Sequence, residues 1–262
     1  MHYELKQSLV TTTDVAGEEN TNTITQHMNL STVIEKVLPD GSAQVNKKID
    51  RIRLKASHPE GGQELEYDSA ENKEVTGAFA MIVKSMAMLV NQDITMTISP
   101  QGEASNVSIP EDLVKRFSGP GSNLGGVNSA EGVKKMMSQG SVIFPDKPLA
   151  PGDTWQRDLT TDLPYGTMKS VIVFKYTGRT EKGLHRIDAV TKISIEPNAN
   201  IPFQIKMTES EGHGIYMFDA TQGVILASGL KQTMNMEITA VGQSTKQSVI
   251  TDISMRLVEA KK

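Results

Sequence analysis

The chain has 262 residues and a formal net charge of -4, with 27 Lys and Arg set against 31 Asp and Glu. This balance provides no basic surface for the phosphates of a nucleic acid or for an anionic membrane. Cysteine is absent, which excludes disulfides and thiolate metal sites, and no apolar run is long enough for a transmembrane helix.

The first half of the chain begins as antiparallel strands. Met28 and Leu30 share one face of a strand, but the alternation slips by one residue at Val33 and Ile34. A β-bulge is needed if the same face is to stay inside the protein. The sequences Pro39-Asp40-Gly41 and, later in the chain, Glu181-Lys182-Gly183 each close a hairpin, since glycine supplies the positive φ of such a turn.

From about Asp68 to Val90 the strand pattern stops, and the chain becomes apolar at helical spacing. The opposite side of this segment is apolar too, so we expect a helix from Val75 to Val90 that is buried, lying across the concave side of a sheet. The positions with helical spacing are Val75, Ala78, Phe79, Ile82, Met86 and Leu89.

A connector follows over residues 110–150. We predict a short helix over 110–117 with Pro110 in its first turn, a flexible loop over 119–126, and a second short helix over 128–139. Asn128 and Glu131 have the spacing of a capping box for the second helix. A Pro-rich stretch then leads to Trp155. The predicted organisation is therefore a first β unit over 1–109, the connector, and a second β unit over 151–262.

A repeated phrase supports two related units. Ile94-Thr95-Met96 precedes Pro100-Gln101-Gly102, and Ile215-Tyr216-Met217 precedes Thr221-Gln222-Gly223 at the same spacing. An apolar strand followed by a glycine turn, used twice, is typical of a duplicated β unit. The predicted class is α+β: mainly antiparallel β, with two curved sheets or half-barrels, one buried apolar helix and short connecting helices.

The search for catalytic chemistry yields weak candidates. His213 between two glycines is more typical of a turn histidine facing water than of a catalytic one. Asp68 and Ser69 fit the N-cap of the following helix better than part of a triad. Glu64 and Glu66, with Asp68, form a solvated strand face, although a carboxylate-dependent hydrolase would also use such a pair.

No metal site or cofactor site is predicted. The histidines are scattered without the spacing of zinc ligands. The loop over 119–126 is rich in glycine but lacks the Gly-Lys-Ser/Thr ending of a phosphate-binding loop. The five histidines are His2, His27, His58, His185 and His213.

Methionine is used 14 times, against 6 Phe and 1 Trp. Met81, with other methionines, lies on the apolar helix, and Met255 lies on the inward side of a late strand. Flexible thioethers either fill gaps in an ordinary core or line a cavity that accepts varied apolar shapes. Under the second interpretation the ligand-binding residues are Phe79, Met86, Met88, Met234 and Met236.

Three motifs resemble a bacterial family of secreted and lipoprotein-type proteins that is known only as a domain of unknown function. They are Tyr67-Asp68-Ser69, Ser99-Pro100-Gln101-Gly102-Glu103, and Phe144-Pro145-Asp146-Lys147-Pro148 leading to Pro151-Gly152-Asp153-Thr154-Trp155. The resemblance implies an extracytoplasmic location, periplasmic or secreted, and a removed leader. The expected fold is also similar to that of the periplasmic carriers that localise lipoproteins.

These observations lead to one preferred function and two alternatives. We expect a non-catalytic extracytoplasmic protein that binds a lipid or other hydrophobic molecule on a concave apolar face. The first alternative is an envelope scaffold or protein interaction module with a fully packed core and an exposed edge or patch for a protein partner. The second is the carboxylate-dependent hydrolase.

Overall fold

Antiparallel strands dominate the computed structural model of the protein. It describes residues 1–57, 64–71, 75–76, 80–113, 142–163, 165–198, 201–240 and 242–258. The elements are β1 His2–Val15, β2 Glu18–Val37, β3 Ala43–Ser57, β4 Glu64–Asp68, α1 Ala80–Ala87, β5 Ile94–Ile98, β6 Ala104–Ser108, β7 Thr154–Leu163, β8 Gly166–Arg179, β9 His185–Pro197, β10 Phe203–Asp219, β11 Val224–Ala240 and β12 Gln243–Val258.

The strands form one 12-stranded sheet with the order β6-β5-β3-β2-β1-β12-β11-β10-β9-β8-β7, and β4 pairs with β3 beside this path. The chain starts in the centre at β1, moves out to one end of the sheet, crosses to the other end at β7 and returns to the centre. β1 and β12 are therefore neighbours, with His2 paired to Val258.

The side chains alternate between two faces of the sheet. Because directly paired residues lie on the same face, the pairing follows one row of residues across eight neighbouring strands, from β3 to β8. This row runs through Ile52, Met28, Leu5, Met255, Ser228, Tyr216, Ile187 and Tyr176. Its two ends are buried, since Ile52 and Tyr176 are 0% and 8% exposed. We call the face that carries this row the inner face and the other the outer face.

Two buried clusters lie at one end of the sheet, which holds the β2–β3, β5–β6, β8–β9 and β10–β11 turns and which we call the closed end. The first cluster joins β3, β5 and β6 with the helical turn at residues 111–113, and the second joins β8 and β9. The first contains Val45, Ile94, Met96, Ala104, Ile109 and Leu113; the second contains Val142, Phe174, Tyr176, Ile187 and Ala189.

Residues 142–144 join the two ends of the strand order. The Phe144 N–H donates to the Gln101 carbonyl in the β5–β6 turn at 2.8 Å. The Trp155 Nε1–H donates to the Ile143 carbonyl at 2.8 Å. Gly102 lies at φ +92°, and a Cβ there would come within 2.7 Å of the Val142 carbonyl oxygen. Since Trp155 begins β7, this segment curls the sheet around its inner face.

The bulge expected between Leu30 and Val33 is not present, since these residues pair with β3 without a shift and Val33 lies on the outer face. The extra residue of β2 is Glu35, which comes after Ile34. The glycine turns at Gly41 and Gly183 are confirmed, with φ of +84° and +79° between β2 and β3 and between β8 and β9. The two Gln-Gly turns join β5 to β6 and β10 to β11. All strands nevertheless belong to one sheet, so the duplication into two units stays a prediction.

The helix is shorter than the sequence indicates. α1 covers Ala80–Ala87 rather than 75–90, because residues 75–76 are not helical and Val90 forms a bridge with Ile49 of β3. At Val90 the chain pairs with the sheet instead of continuing the helix. The α+β class is not confirmed, since the described chain is mainly antiparallel β. The predicted helix over 128–139 and the loop over 119–126 lie outside the described residues.

Candidate ligand-binding face

Charge separates the two faces of the sheet. Outer-face side chains form ion pairs, among them Lys55 with Glu64 and Glu66 at 3.1 Å each and Lys169 with Glu196 at 2.6 Å. Away from the turns, the inner-face positions of the described strands hold two charged side chains and no carboxylate. The inner face thus holds apolar and uncharged polar side chains, whereas the outer face carries nearly all of the charge.

The inner face is not buried along its whole length. At the end opposite the closed end, which we call the open end, apolar side chains of β9 and β10 alternate with exposed polar ones, and those of β11 alternate with partly exposed polar ones. The apolar side chains of all three strands are partly exposed. A shallow pocket of about 380 Å³ lies beside them near the β9–β10 turn. The partly exposed residues are Ile193, Ile195, Phe203, Ile205, Met207, Met234, Met236 and Ile238.

The central strands carry a second partly exposed stretch. Leu30 of β2 pairs with Tyr3 of β1, and Leu5 of β1 pairs with Met28 on one side and Met255 on the other. All five side chains are partly exposed on the inner face. The burial of Tyr3 raises the pKa of its phenol. This stretch extends from the first buried cluster toward the middle of the sheet.

A polar contact separates the second buried cluster from the open end. Gln232 is 5% exposed, and its Nε2 donates to Ser210 Oγ at 3.2 Å and to the Thr233 carbonyl at 3.1 Å. Its amide occupies the space above Gly212, where a Cβ would come within 2.0 Å of Gln232 Oε1. Glycine is therefore needed at this position, since any side chain would displace the glutamine.

The structure places four of the five predicted ligand-binding residues, in two separate regions. Met88 packs against the first buried cluster, and Met86 lies on α1, partly buried. Met234 and Met236 lie on the inner face of β11 at the open end, separated from β3 in the sheet by β2, β1 and β12. Phe79 lies outside the described residues. The ligand-binding role of these residues stays a prediction.

Sequence reasoning missed most of the inner-face residues around the two methionines of β11. Met207 pairs with Met236, and Ile205 pairs with Ile238, after a bulge at Thr208. The alternation of Ile193 with Ile195 was visible in the sequence. The strand partners of these residues were not, since long-range pairing fixes which strands are neighbours.

The residues that a hydrolase would use are held in structural contacts. Arg51 forms a two-point ion pair with Asp68, and these hydrogen bonds lower the pKa of the Asp68 carboxyl to about 2. The predicted N-cap role is wrong: Ser69 Oγ accepts from the Ile52 N–H at 2.9 Å, Asp68 accepts from the Ala70 N–H, and α1 begins only at Ala80.

His213 does not join these carboxylates. It lies on the outer face of β10 rather than in a turn, and its Nε2 is 3.1 Å from Glu211 Oε1. Four strands, β2, β1, β12 and β11, separate it from β3 and β4. In the part of the chain that the structure describes, no group of three or more His, Asp or Glu is placed to hold a metal ion.

The outer face has one polar depression of about 300 Å³ at its centre. Arg256 crosses it to donate to Glu4 Oε2 from Nη2 at 2.6 Å. Burial and the nearby Lys6 and Arg53 charges lower the pKa of His27 at its edge. Its other charged side chains, Lys6 and Arg53, are cations, and the lining is mainly polar.

Comparisons with known proteins complete this description. A sequence model described as "Family of unknown function (DUF6263)" matches residues 40–250. A solved structure described as "Lipid-protein interactions in lipovitellin" aligns with a TM-score of 0.47 and 11% identity, covering 100% of this chain and 26% of the other, about a quarter of its length. No curated protein matches. No helix among the described residues has the length and hydropathy to cross a membrane.

Proposed function

We propose that this chain, which belongs to the family of unknown function DUF6263, is a non-catalytic extracytoplasmic protein that binds a lipid or other hydrophobic molecule against the inner face of its sheet. One observation carries the proposal. The inner face is apolar and almost free of charge, yet its side chains at the open end and in the centre remain partly exposed.

Exposed apolar area of this kind favours a hydrophobic ligand. A chain that removes about 200 Å² of apolar surface from water gains about 5 kcal/mol before the entropic costs of binding. Met207, Met234 and Met236 lie side by side on this face. Methionine side chains adapt to varied apolar shapes, which suits a ligand with a flexible acyl chain.

The ion pairs of the acidic residues support the non-catalytic part of the proposal. Asp68 is held by Arg51, and Glu64 and Glu66 are held by Lys55. These carboxylates lie on the outer face of β4, away from the apolar surface that would receive a substrate. The extracytoplasmic location is supported by the resemblance to secreted proteins, and fractionation of cells that produce the full-length protein tests it.

A neutral fluorescent probe tests the inner face directly. We expect a pyrene-labelled long-chain alcohol to bind the protein with an increase in fluorescence, and we expect Met236→Asp to weaken this binding about tenfold or more, because a carboxylate on the face must be desolvated. Thr239→Asp introduces the same charge on the outer face of the same strand and is the matched control.

Loss of binding in the Met236→Asp variant alone supports the proposal. Equal binding by both variants, or no binding by the unmodified protein, contradicts it. Far-ultraviolet circular dichroism shows whether each variant keeps its sheet.

A protein interaction module is the second candidate, and the exposed end of β2 favours it. β1 pairs with β2 only as far as Ser31, so residues 32–37 extend beyond it. Val33, Ile34 and Val37 are 57%, 48% and 65% exposed there. An extended peptide that adds to this edge would cover them. Cross-linking from Val33→Cys in cell extracts, with a single captured protein that Val33→Lys fails to bind, would favour this candidate.

A further inference from the structure

Lys47 is a cation on the apolar inner face. It follows Val45 and precedes Ile49 along the inner side of β3, and these two residues are 5% and 8% exposed. Its neighbour on β5 is Ile94, which is 1% exposed, and its neighbour on β2 is Thr32. The ammonium is partly buried, and this burial lowers its pKa.

Lys48, the next residue along β3, has an ion-pair partner. Lys48 points to the outer face, where its Nζ is 3.0 Å from Asp93 Oδ1. No such ion pair with Lys47 occurs within the described ranges. Arg157, the other charged side chain on the inner face away from the turns, interacts with the charge of Glu103. Lys47 is therefore a desolvated cation for which the described inner face provides no anion.

An apolar path leads away from this cation. Leu30 pairs with Ile49, Tyr3 pairs with Leu30, and Met255 pairs with Leu5 in the next row. The path from β3 to β12 crosses three strand spacings, about 15 Å, which is the length of a chain of about twelve carbons. Its side chains are the partly exposed ones of the central strands.

We propose that the inner face binds an amphiphile with an anionic headgroup, whose carboxylate or phosphate oxygens accept hydrogen bonds from the Lys47 ammonium while its apolar chain lies across Leu30, Leu5 and Met255. The inference rests on the proposed function and assigns the chemical class of its ligand. A bound anion offsets the cost of holding an unpaired ammonium away from water, and the charge-assisted hydrogen bond orients the ligand.

The experiment compares three ligands with the same twelve-carbon chain: dodecanol, dodecanoate and dodecyl phosphate. Affinities are measured by isothermal titration calorimetry below the critical micelle concentrations. We expect at least one anionic ligand to bind the unmodified protein about tenfold more tightly than dodecanol, the effect of one charge-assisted hydrogen bond. The anion with the larger preference identifies the headgroup.

Three variants locate the effect. Lys47→Met should abolish the preference for the anion while keeping the affinity for dodecanol, whereas Lys48→Met, on the outer face, should keep both. Lys47→Arg retains the charge and should retain the preference, which provides a second reading if Lys47→Met folds poorly.

Different failures separate the two proposals. Equal binding of dodecanol and both anions by the unmodified protein, or an unchanged preference in Lys47→Met, overturns the role of Lys47 but leaves hydrophobic binding intact. Absence of binding by all three ligands overturns the proposed function itself.

Discussion

On β9, β10 and β11 the closed end and the open end of the sheet share the same strands and the same alternation, yet they differ in burial. On β9, Ile187 is 1% exposed at the closed end, where it packs with Phe174 and with Val142 of the bridging segment. Ile195 lies eight residues further along the same face of β9 and remains partly exposed. The difference lies in what covers the face, since the residue type and the strand are the same.

This contrast follows from the residues that cover each end of the sheet. At the closed end, residues 142–144 and Trp155 complete a packed core with stacked rings, including Trp155 and Phe174 with centroids 5.2 Å apart. At the open end, the described chain supplies no comparable layer over the methionines and isoleucines. The closed end holds a packed core, and the open end leaves apolar surface partly exposed, where the proposed ligand would lie.

The largest expected effect is the difference in the free energy of unfolding between two matched truncations on β9. Ile187→Ala should lower the free energy of unfolding by about 3–4 kcal/mol, because it leaves a cavity in a buried cluster. Ile195→Ala should cost only about 1 kcal/mol, since solvent already reaches this side chain. Urea unfolding of both variants measures the difference. Equal losses would show that the open end is packed as tightly as the closed one.

A smaller effect is expected at the boundary between the two ends. Gly212→Ala should lower the free energy of unfolding by about 2 kcal/mol, because the new methyl group would displace the buried Gln232 amide. Gly229→Ala on β11 is the control: its nearest atom would be the Ile253 carbonyl oxygen at 3.9 Å, an ordinary contact. Equal shifts of the melting temperature in both variants would show that the Gln232 amide does not make Gly212 a special position.

The smallest effect concerns the outer face, where both ends are solvated. Asp68→Asn should cost about 1 kcal/mol at neutral pH, because Arg51 is 44% exposed and water screens the ion pair. The pKa of Asp68 falls from 3.8 to about 2 on folding, so its stabilisation is complete above pH 4 and is lost as the pH falls toward 2. Urea unfolding at pH 7 and pH 2.5 should therefore show the difference between protein and variant shrinking.

A difference that stays constant across this pH range would mean that the ion pair does not contribute to stability. Arg53→Gln is a suitable comparison, since Arg53 lies opposite Asp68 in the strand register but forms no described ion pair with it.

Much of the sheet could be predicted from local pattern. The alternation around Met234 and the turn at Gly41 follow from side-chain period and glycine conformation, both of which a short window of sequence reveals. Family membership was also predictable from short motifs, and the match to residues 40–250 confirms it.

Local sequence pattern did not predict where the helix ends or which residues are neighbours in the candidate site. Apolar residues at helical spacing predicted 75–90, but Val90 is drawn into the sheet by Ile49, a partner about forty residues earlier in the chain. For the same reason the neighbours of Met236 were not predictable: Met207 reaches it only through the register of β10 with β11. Lys47 was overlooked because its face is defined by pairing on both sides of β3.

Native mass spectrometry of protein purified without detergent and without heating tests the inner-face account most directly. We predict a population of the chain that carries an added mass of a lipid-sized molecule, released by organic extraction and depleted in the Met236→Asp variant. A single mass equal to that of the bare chain, unchanged after incubation with dodecanoate and with dodecanol, would contradict the account.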